Sequence, residues 1–169
     1  MRRLPDGVVE ALHVAALLAV AGALAWATGR PLVFPSLGPS AYLVAVGSGR
    51  PTARELVGGH AVGVAAGLLS YHALAGGAVI TDSLAATAPA GAHLAASAVA
   101  SVGLTTAGMA ALDARHAPAC ATTLIVSLGL LSSFADAAVV LVGVLALFLA
   151  AELGAVAGAA LASSPAGER

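Results

Sequence analysis

Apolar residues along this chain fall into six runs separated by short polar, glycine-rich or proline-rich breaks. Four runs are long, 9–28, 56–75, 92–112 and 137–160, and each carries few charged side chains. A helix rising about 1.5 Å per residue crosses a hydrocarbon core of about 30 Å in roughly 20 residues, so each long run predicts a membrane-spanning helix. Two runs are shorter, 32–47 and 118–131, and they lie within PLVFPSLGPSAYLVAVG and RHAPACATTLIVSLGLL. Each holds a proline suited to open a helix, Pro39 and Pro118, after an irregular lead-in. The first run begins after Arg2 and Arg3 but has neither a short apolar core nor a polar cleavage region, and it reads as a helix rather than a signal peptide.

Composition agrees with this pattern. The chain has 169 residues, of which 60% are hydrophobic, 9% charged and 4% aromatic, and it contains no lysine. Ordinary soluble domains are about 25% charged. Seven basic and eight acidic residues give a net charge of -1, which leaves no basic face for nucleic acid. The partner implied by bulk composition is a lipid bilayer. A single cysteine, Cys120, excludes an internal disulfide.

The arginines choose among topologies, because cytoplasmic loops carry an excess of basic residues. If all six runs cross with the N-terminus inside, Arg2, Arg3, Arg50, Arg54, Arg115 and Arg169 are cytoplasmic and only Arg30 is outside. If the two short runs dip in and return, the bias disappears. The expectation is an all-α polytopic bundle in the plasma membrane, with six transmembrane segments and both termini cytoplasmic. It forms a single transmembrane domain over 1–169, with a short polar tail over 162–169.

The six segments divide into two sets of three, about 9–75 and 92–160, each a long helix, a short Pro-interrupted one and a long glycine-bearing one. An odd number of crossings per repeat inverts the second copy, so the sets are expected to be inverted-topology repeats. Their third helices carry small-xxx-small ladders, Gly59, Gly63 and Gly67 in one and Gly154 and Gly158 in the other. Such ladders let helices approach closely, and they also suit a homo-oligomer.

A helix that starts inside a bilayer exposes unpaired N–H groups and the positive end of its dipole, which suits an anion. Two such starts, at Pro39 and Pro118, would face each other near the midplane. The candidate substrate-binding residues are therefore Ser36, Gly38, Pro39, Ser40 and Tyr42 in the first short segment and Pro118, Thr122 and Thr123 in the second. His60 and His116 join them, since a polar side chain within a membrane is a functional candidate by default. The competing local reading is that the prolines end loops at the surface and the hydroxyls bond their own backbone. No metal site is expected: His116 and Cys120 are four apart but lack a third ligand. No zinc-protease, nucleophile-elbow or phosphate-loop motif is present, so neither an enzyme nor a cofactor is expected.

The blocks FPSLGPSAYL (34–43), GGHAVGVAAG (58–67) and RHAPACATTLIVSLGLL (115–131) resemble the HPP family of small integral membrane proteins, in the family's order and over nearly the whole chain. The family takes its name from a His-Pro-Pro motif usually continued as Ala-Gly-Ala-Thr. Here the stretch reads His116, Ala117, Pro118, Ala119, Cys120, Ala121, Thr122, so one Pro and one Gly are replaced. Members of the family have been linked to nitrite transport in plastids and cyanobacteria. The resemblance thus implies a permease for nitrite or a related small inorganic anion. Two other readings stand beside it: a non-transporting structural or regulatory subunit that packs through the glycine ladders, and a metal carrier using His60, His116 and Cys120.

Overall fold

A computed structural model describes residues 5–31, 33–47, 49–82 and 85–163. Arg2, Arg3, Arg169 and most of the polar tail over 162–169 lie outside the described residues. The described chain is helical throughout its regular structure: α1 (Asp6–Thr28), α2 (Val33–Val46), α3 (Gly59–Ser70), α4 (Pro89–Ala111), α5 (Ala119–Ser127) and α6 (Phe134–Ser163). α3 is lengthened by a π-helical turn at each end, Arg54–Gly58 and Tyr71–Ala75. α1, α4 and α6 are long and apolar enough to cross a membrane. At about 1.5 Å per residue α2 is roughly 21 Å long and α5 roughly 14 Å, well short of a bilayer core.

Local chemistry sets the helix ends. α1 stops at Gly29, whose left-handed backbone (φ 66°) lets its N–H close onto the carbonyls of Ala25 and Trp26. α4 begins with Pro89, placed where a missing N–H costs nothing. The third helix of each half opens with a reciprocal cap. Thr52 Oγ1 accepts from the Glu55 N–H while Glu55 Oε2 accepts from the Thr52 N–H, and Ser133 and Asp136 repeat the arrangement ahead of α6.

α2 departs from expectation. It begins at Val33, so Pro39 lies inside the helix and is not its first residue. The reason is a second proline. Pro35 occupies the first turn, where the N–H has no helical partner anyway, so the helix can begin at Val33, six residues before Pro39. α5 starts at Ala119 with Pro118 as its N-cap.

The helices pack in an interleaved way. α1 and α2 lie against each other and against α6, whereas α4 and α5 lie against each other and against α3. The third helix of each sequence half is thus lodged in the other half, and the two three-helix groups meet through α2 with α5 and α3 with α6. The apolar core, including Leu37, Leu56, Val140, Val144 and Leu147, lies among α2, α3 and α6. On the other side, α3 meets α5 through its glycines. A Cβ on Gly59 would lie 2.7 Å from His116 Cβ, one on Gly63 2.7 Å from Thr123 Oγ1, and one on Gly67 2.8 Å from Val126 Cβ. No side chain fits there.

Charges collect at two ends. Arg30 pairs with Asp136 at one end, and Arg50 pairs with Glu152 at 3.8 Å towards the other, where Arg54, Glu55, Asp113 and Arg115 also lie. α2 runs from the Arg30 end to the Arg50 end. α5 runs the opposite way, since Ala114 packs on Gly58 ahead of it and Leu128 O accepts from Ile80 in the α3–α4 loop after it. Non-helical backbone around α5 is satisfied within the protein, for example Ala114 N–H to Met109 O at 2.9 Å, as a medium without water requires.

The glycine face of α3 generates a stability test. Gly63→Leu should destabilise detergent-solubilised protein by about 1–3 kcal/mol through overpacking. Gly154→Leu, at a position with nothing within 4 Å of the added Cβ, should leave the melting temperature unchanged. Equal melting temperatures for the two variants would show that α3 and α5 do not meet in this way.

Candidate functional site

The polar residues inside this apolar body converge where α2, α3 and α5 meet. Ser40, His60, Thr122 and Thr123 are fully buried, and His116 is 2% exposed. Ser40 comes from the middle of α2, one residue past Pro39. Pro39 cannot donate to the carbonyl four residues earlier, but α2 runs through it. His60 sits beside Gly59 in the glycine face of α3, and this close approach brings it to α5. His116 occupies the loop ahead of α5, and its own N–H points at Met109 Sδ, 3.5 Å away.

These side chains are joined directly. Ser40 Oγ lies 2.8 Å from His60 Nε2 and 2.9 Å from His116 Nε2. His60 Nδ1 lies 2.8 Å from Thr122 Oγ1. The two imidazoles are tilted at 54° with centroids 5.3 Å apart. Next to them Thr123 Oγ1 donates to Ala119 O at 3.1 Å and shares a hydrogen bond with Thr105 Oγ1 at 2.9 Å. In an apolar interior each of these groups would cost several kcal/mol if left unpaired. Ser70 Oγ is the buried side-chain atom left without a partner among the described residues.

Other candidates from the sequence lie elsewhere. Ser36 is buried on the same face of α2 as Ser40, but its hydroxyl donates to Val33 O at 2.8 Å within its own helix. Pro39 is exposed, Gly38 is partly exposed, and Tyr42 is 59% exposed in a groove between α1 and α2. The pairing of helix starts at Pro39 and Pro118 is not what brings the site together. α2 has no start at Pro39, and the first N–H groups at α5 already donate to the loop: Ala119 to His116 O at 2.9 Å, Cys120 to Ala117 O at 3.1 Å and Ala121 to Pro118 O at 3.0 Å. Polar side chains take that place.

Sequence reasoning missed Thr105, which completes the hydroxyl pair with Thr123. A signal existed. Ser97, Ser101, Thr105 and Met109 recur every four residues along α4, and all are buried, so they form one helical stripe facing α3 and α5.

Above His116 lies an open, charged vestibule made of two adjoining pockets of about 400 and 310 Å³, which share Glu55 and Arg115. Arg50 and Arg54 line it with them, and His116 forms part of its wall. At the opposite end the Arg30–Asp136 pair lies at the start of α6.

A family model described as the HPP transmembrane region matches residues 3–163. The chain belongs to the HPP transmembrane family. It is an integral membrane protein. Among curated proteins and among solved structures, none matches the chain. Within the family's name-giving stretch, His116 and Pro118 are the residues that reach the vestibule wall and cap α5, while Ala117 is exposed and Cys120 is half-buried. Neither replaced position contributes a side chain to the hydrogen-bonded network.

The network predicts its own energetics. Thr122→Val keeps the shape of the side chain but leaves His60 Nδ1 without its partner, which should cost about 1–3 kcal/mol. Thr106→Val, at an exposed position of α4 whose hydroxyl bonds its own helix, should change thermal stability by less than about 0.5 kcal/mol. Comparable melting temperatures for both would remove the network as a source of stability.

Proposed function

We propose that this HPP protein is a membrane permease for a small inorganic anion, nitrite or a related oxyanion. The observation that carries this reading is the buried set of uncharged hydrogen-bonding side chains, Ser40, His60, His116 and Thr122, at the floor of a vestibule bearing Arg50, Arg54 and Arg115. Arginines at the mouth concentrate anions, and hydroxyl and imidazole groups can replace part of an oxyanion's hydration shell without trapping it by full charge. The site in this reading is the side-chain network rather than a pair of helix ends.

Alternating access between inverted repeats fits the architecture. Exchanging α1 with α4, α2 with α5 and α3 with α6 maps the principal helix neighbours onto one another. The same exchange relates the two caps, Thr52 with Glu55 and Ser133 with Asp136, which sit at opposite ends. It also relates Arg30 to Arg115. Arg30 is paired with Asp136, whereas Arg115 and Glu55 line the open vestibule without an ion pair between them. In this reading the structure is open at the Arg54 end and closed at the Arg30 end, and transport reverses the two. Because α3 and α6 are exchanged between halves, the bodies that rock are the spatial groups α1–α2–α6 and α3–α4–α5. In this reading the arginine-rich Arg54 end is the cytoplasmic one, with six crossings and both termini inside.

One observation favours the second reading, a non-transporting subunit. Gly154 and Gly158 on α6 have nothing within 4 Å, beside Val156 at 67% exposure. A stoichiometric partner that copurifies and is lost in Gly154→Leu would support that reading.

Purified protein in liposomes should take up labelled nitrite above empty liposomes. Arg54→Gln with Arg115→Gln should slow initial uptake several-fold at about 10 mM ionic strength and much less near 1 M, where the screening length is about 3 Å. Well-folded protein that moves neither nitrite, nitrate nor another small anion would overturn the permease reading.

A further inference from the structure

Four buried side chains form one unbroken line leading inward from the vestibule: His116 Nε2 to Ser40 Oγ, Ser40 Oγ to His60 Nε2, and His60 Nδ1 to Thr122 Oγ1, each link between 2.8 and 2.9 Å. Counting hydrogens along this line restricts it sharply. A serine hydroxyl has a single proton, so Ser40 donates to one imidazole and accepts from the other. With both imidazoles neutral, each has one N–H, and the choice made at Ser40 fixes every other bond.

Two arrangements satisfy all the links at the same heavy-atom positions. In one, His116 Nε2–H donates to Ser40, Ser40 donates to His60 Nε2, and His60 Nδ1–H donates to Thr122. In the other every bond is reversed: Thr122 donates to His60 Nδ1, His60 Nε2–H to Ser40, and Ser40 to His116 Nε2. A cluster that served only as polar mortar would need one of them. The heavy-atom positions here admit either, and the outer member borders the vestibule: His116 lines it, and its Nδ1 makes no hydrogen bond among the described residues.

We propose that His116, Ser40, His60 and Thr122 form a proton relay that couples passage of a weak-acid oxyanion to uptake of a proton from the vestibule. The proposal rests on the permease reading. The step balances in protons. His116 Nδ1 takes a proton from vestibule water. Its Nε2–H bond breaks as a new Ser40 O–H bond forms, and the original Ser40 proton passes to His60 Nε2. The His60 Nδ1–H bond breaks as its proton moves to Thr122 Oγ1, and the original Thr122 proton leaves to the oxyanion, which in this step has passed the seam between the two helix groups to lie against Thr122, fully buried in the state described, and becomes its neutral acid. One proton enters and one departs, and the line is left in the reversed arrangement. A second turn therefore requires the four groups to reset.

The electrostatic setting is compatible with this direction. Around His116 are His60 from α3, Glu55 from the π turn ahead of it, Arg50 from the α2–α3 loop and Arg115 from its own loop, with Arg54 and Asp113 in the adjoining pocket. α2 contributes the uncharged Ser40 and α5 the uncharged Thr122. The Arg and acidic side chains lie at the mouth, outside the line itself.

The test uses full-length protein in liposomes loaded with a pH-sensitive dye, with nitrite uptake and lumenal pH followed together against empty liposomes. Wild type should carry protons inward with nitrite. Ser40→Ala should lose the proton component and Ser40→Thr, which keeps a hydroxyl, should regain it. If Ser40→Ala is not monodisperse and helical, Thr122→Val takes its place with the same expected loss. Nitrite uptake without protons in wild type, or an unchanged proton-to-nitrite ratio in the variant, would overturn the relay and leave the permease standing. Absence of any anion uptake by the wild type would overturn the permease instead; in that case, and where a variant moves no nitrite, ¹⁵N-histidine spectra of the wild type decide on the relay. Exchange between both tautomers at His60 and His116 supports it, and a single fixed tautomer at each overturns it.

Discussion

Inside a bilayer a polar group has no water to fall back on, so every buried hydroxyl, imidazole and free backbone group must find its partner in the protein. In this molecule the constraint is met at one place by a single oxygen. Ser40 Oγ holds two histidines that come from different parts of the chain, one on α3 and one in the loop ahead of α5. That oxygen can reach both only because α2 passes close to α5 and because α3 presents glycine to it. A side chain at Gly59 would strike His116 and one at Gly63 would strike Thr123, so the glycine face and the polar network are two aspects of the same contact.

The interleaving of the halves follows from the same contact. α3 belongs by sequence to the first half but is packed among α4 and α5, and α6 is packed among α1 and α2. The network therefore lies across the seam between the two spatial groups, with Ser40 on one side and His60, His116 and Thr122 on the other. A movement between the groups must strain or remake the Ser40 bonds. The network lies between an end that carries the Arg30–Asp136 ion pair and an end with an open vestibule around Arg115 and Glu55.

Much of this was legible in the chain. Six apolar runs gave six helices, the short second and fifth runs gave the short α2 and α5, and Ser40, His60, His116, Thr122 and Thr123 were marked before their contacts were known. The start of α2 was not legible, because Pro35 and Pro39 both satisfy the rule for an opening proline and the rule does not choose between them. Tyr42 was grouped with Ser40 by proximity in sequence, yet two residues along a helix is about 200° of rotation and places it on the outer surface. The glycine ladders looked alike, but only tertiary packing tells Gly59, Gly63 and Gly67, which are filled by α5, from Gly154 and Gly158, which are not. Thr105 was hidden for a related reason: its spacing with Ser97 and Ser101 marks a face, but not what the face touches.

Ser40 and His60 act through one another across the seam, and a double-mutant cycle measures their coupling. Unfolding free energies of wild type, Ser40→Ala, His60→Leu and the double variant in one detergent should show a coupling of about 0.5–3 kcal/mol, the range for residues within one hydrogen-bond network. Strict additivity of the two single substitutions would contradict the network, and with it the account of how the two halves are held together.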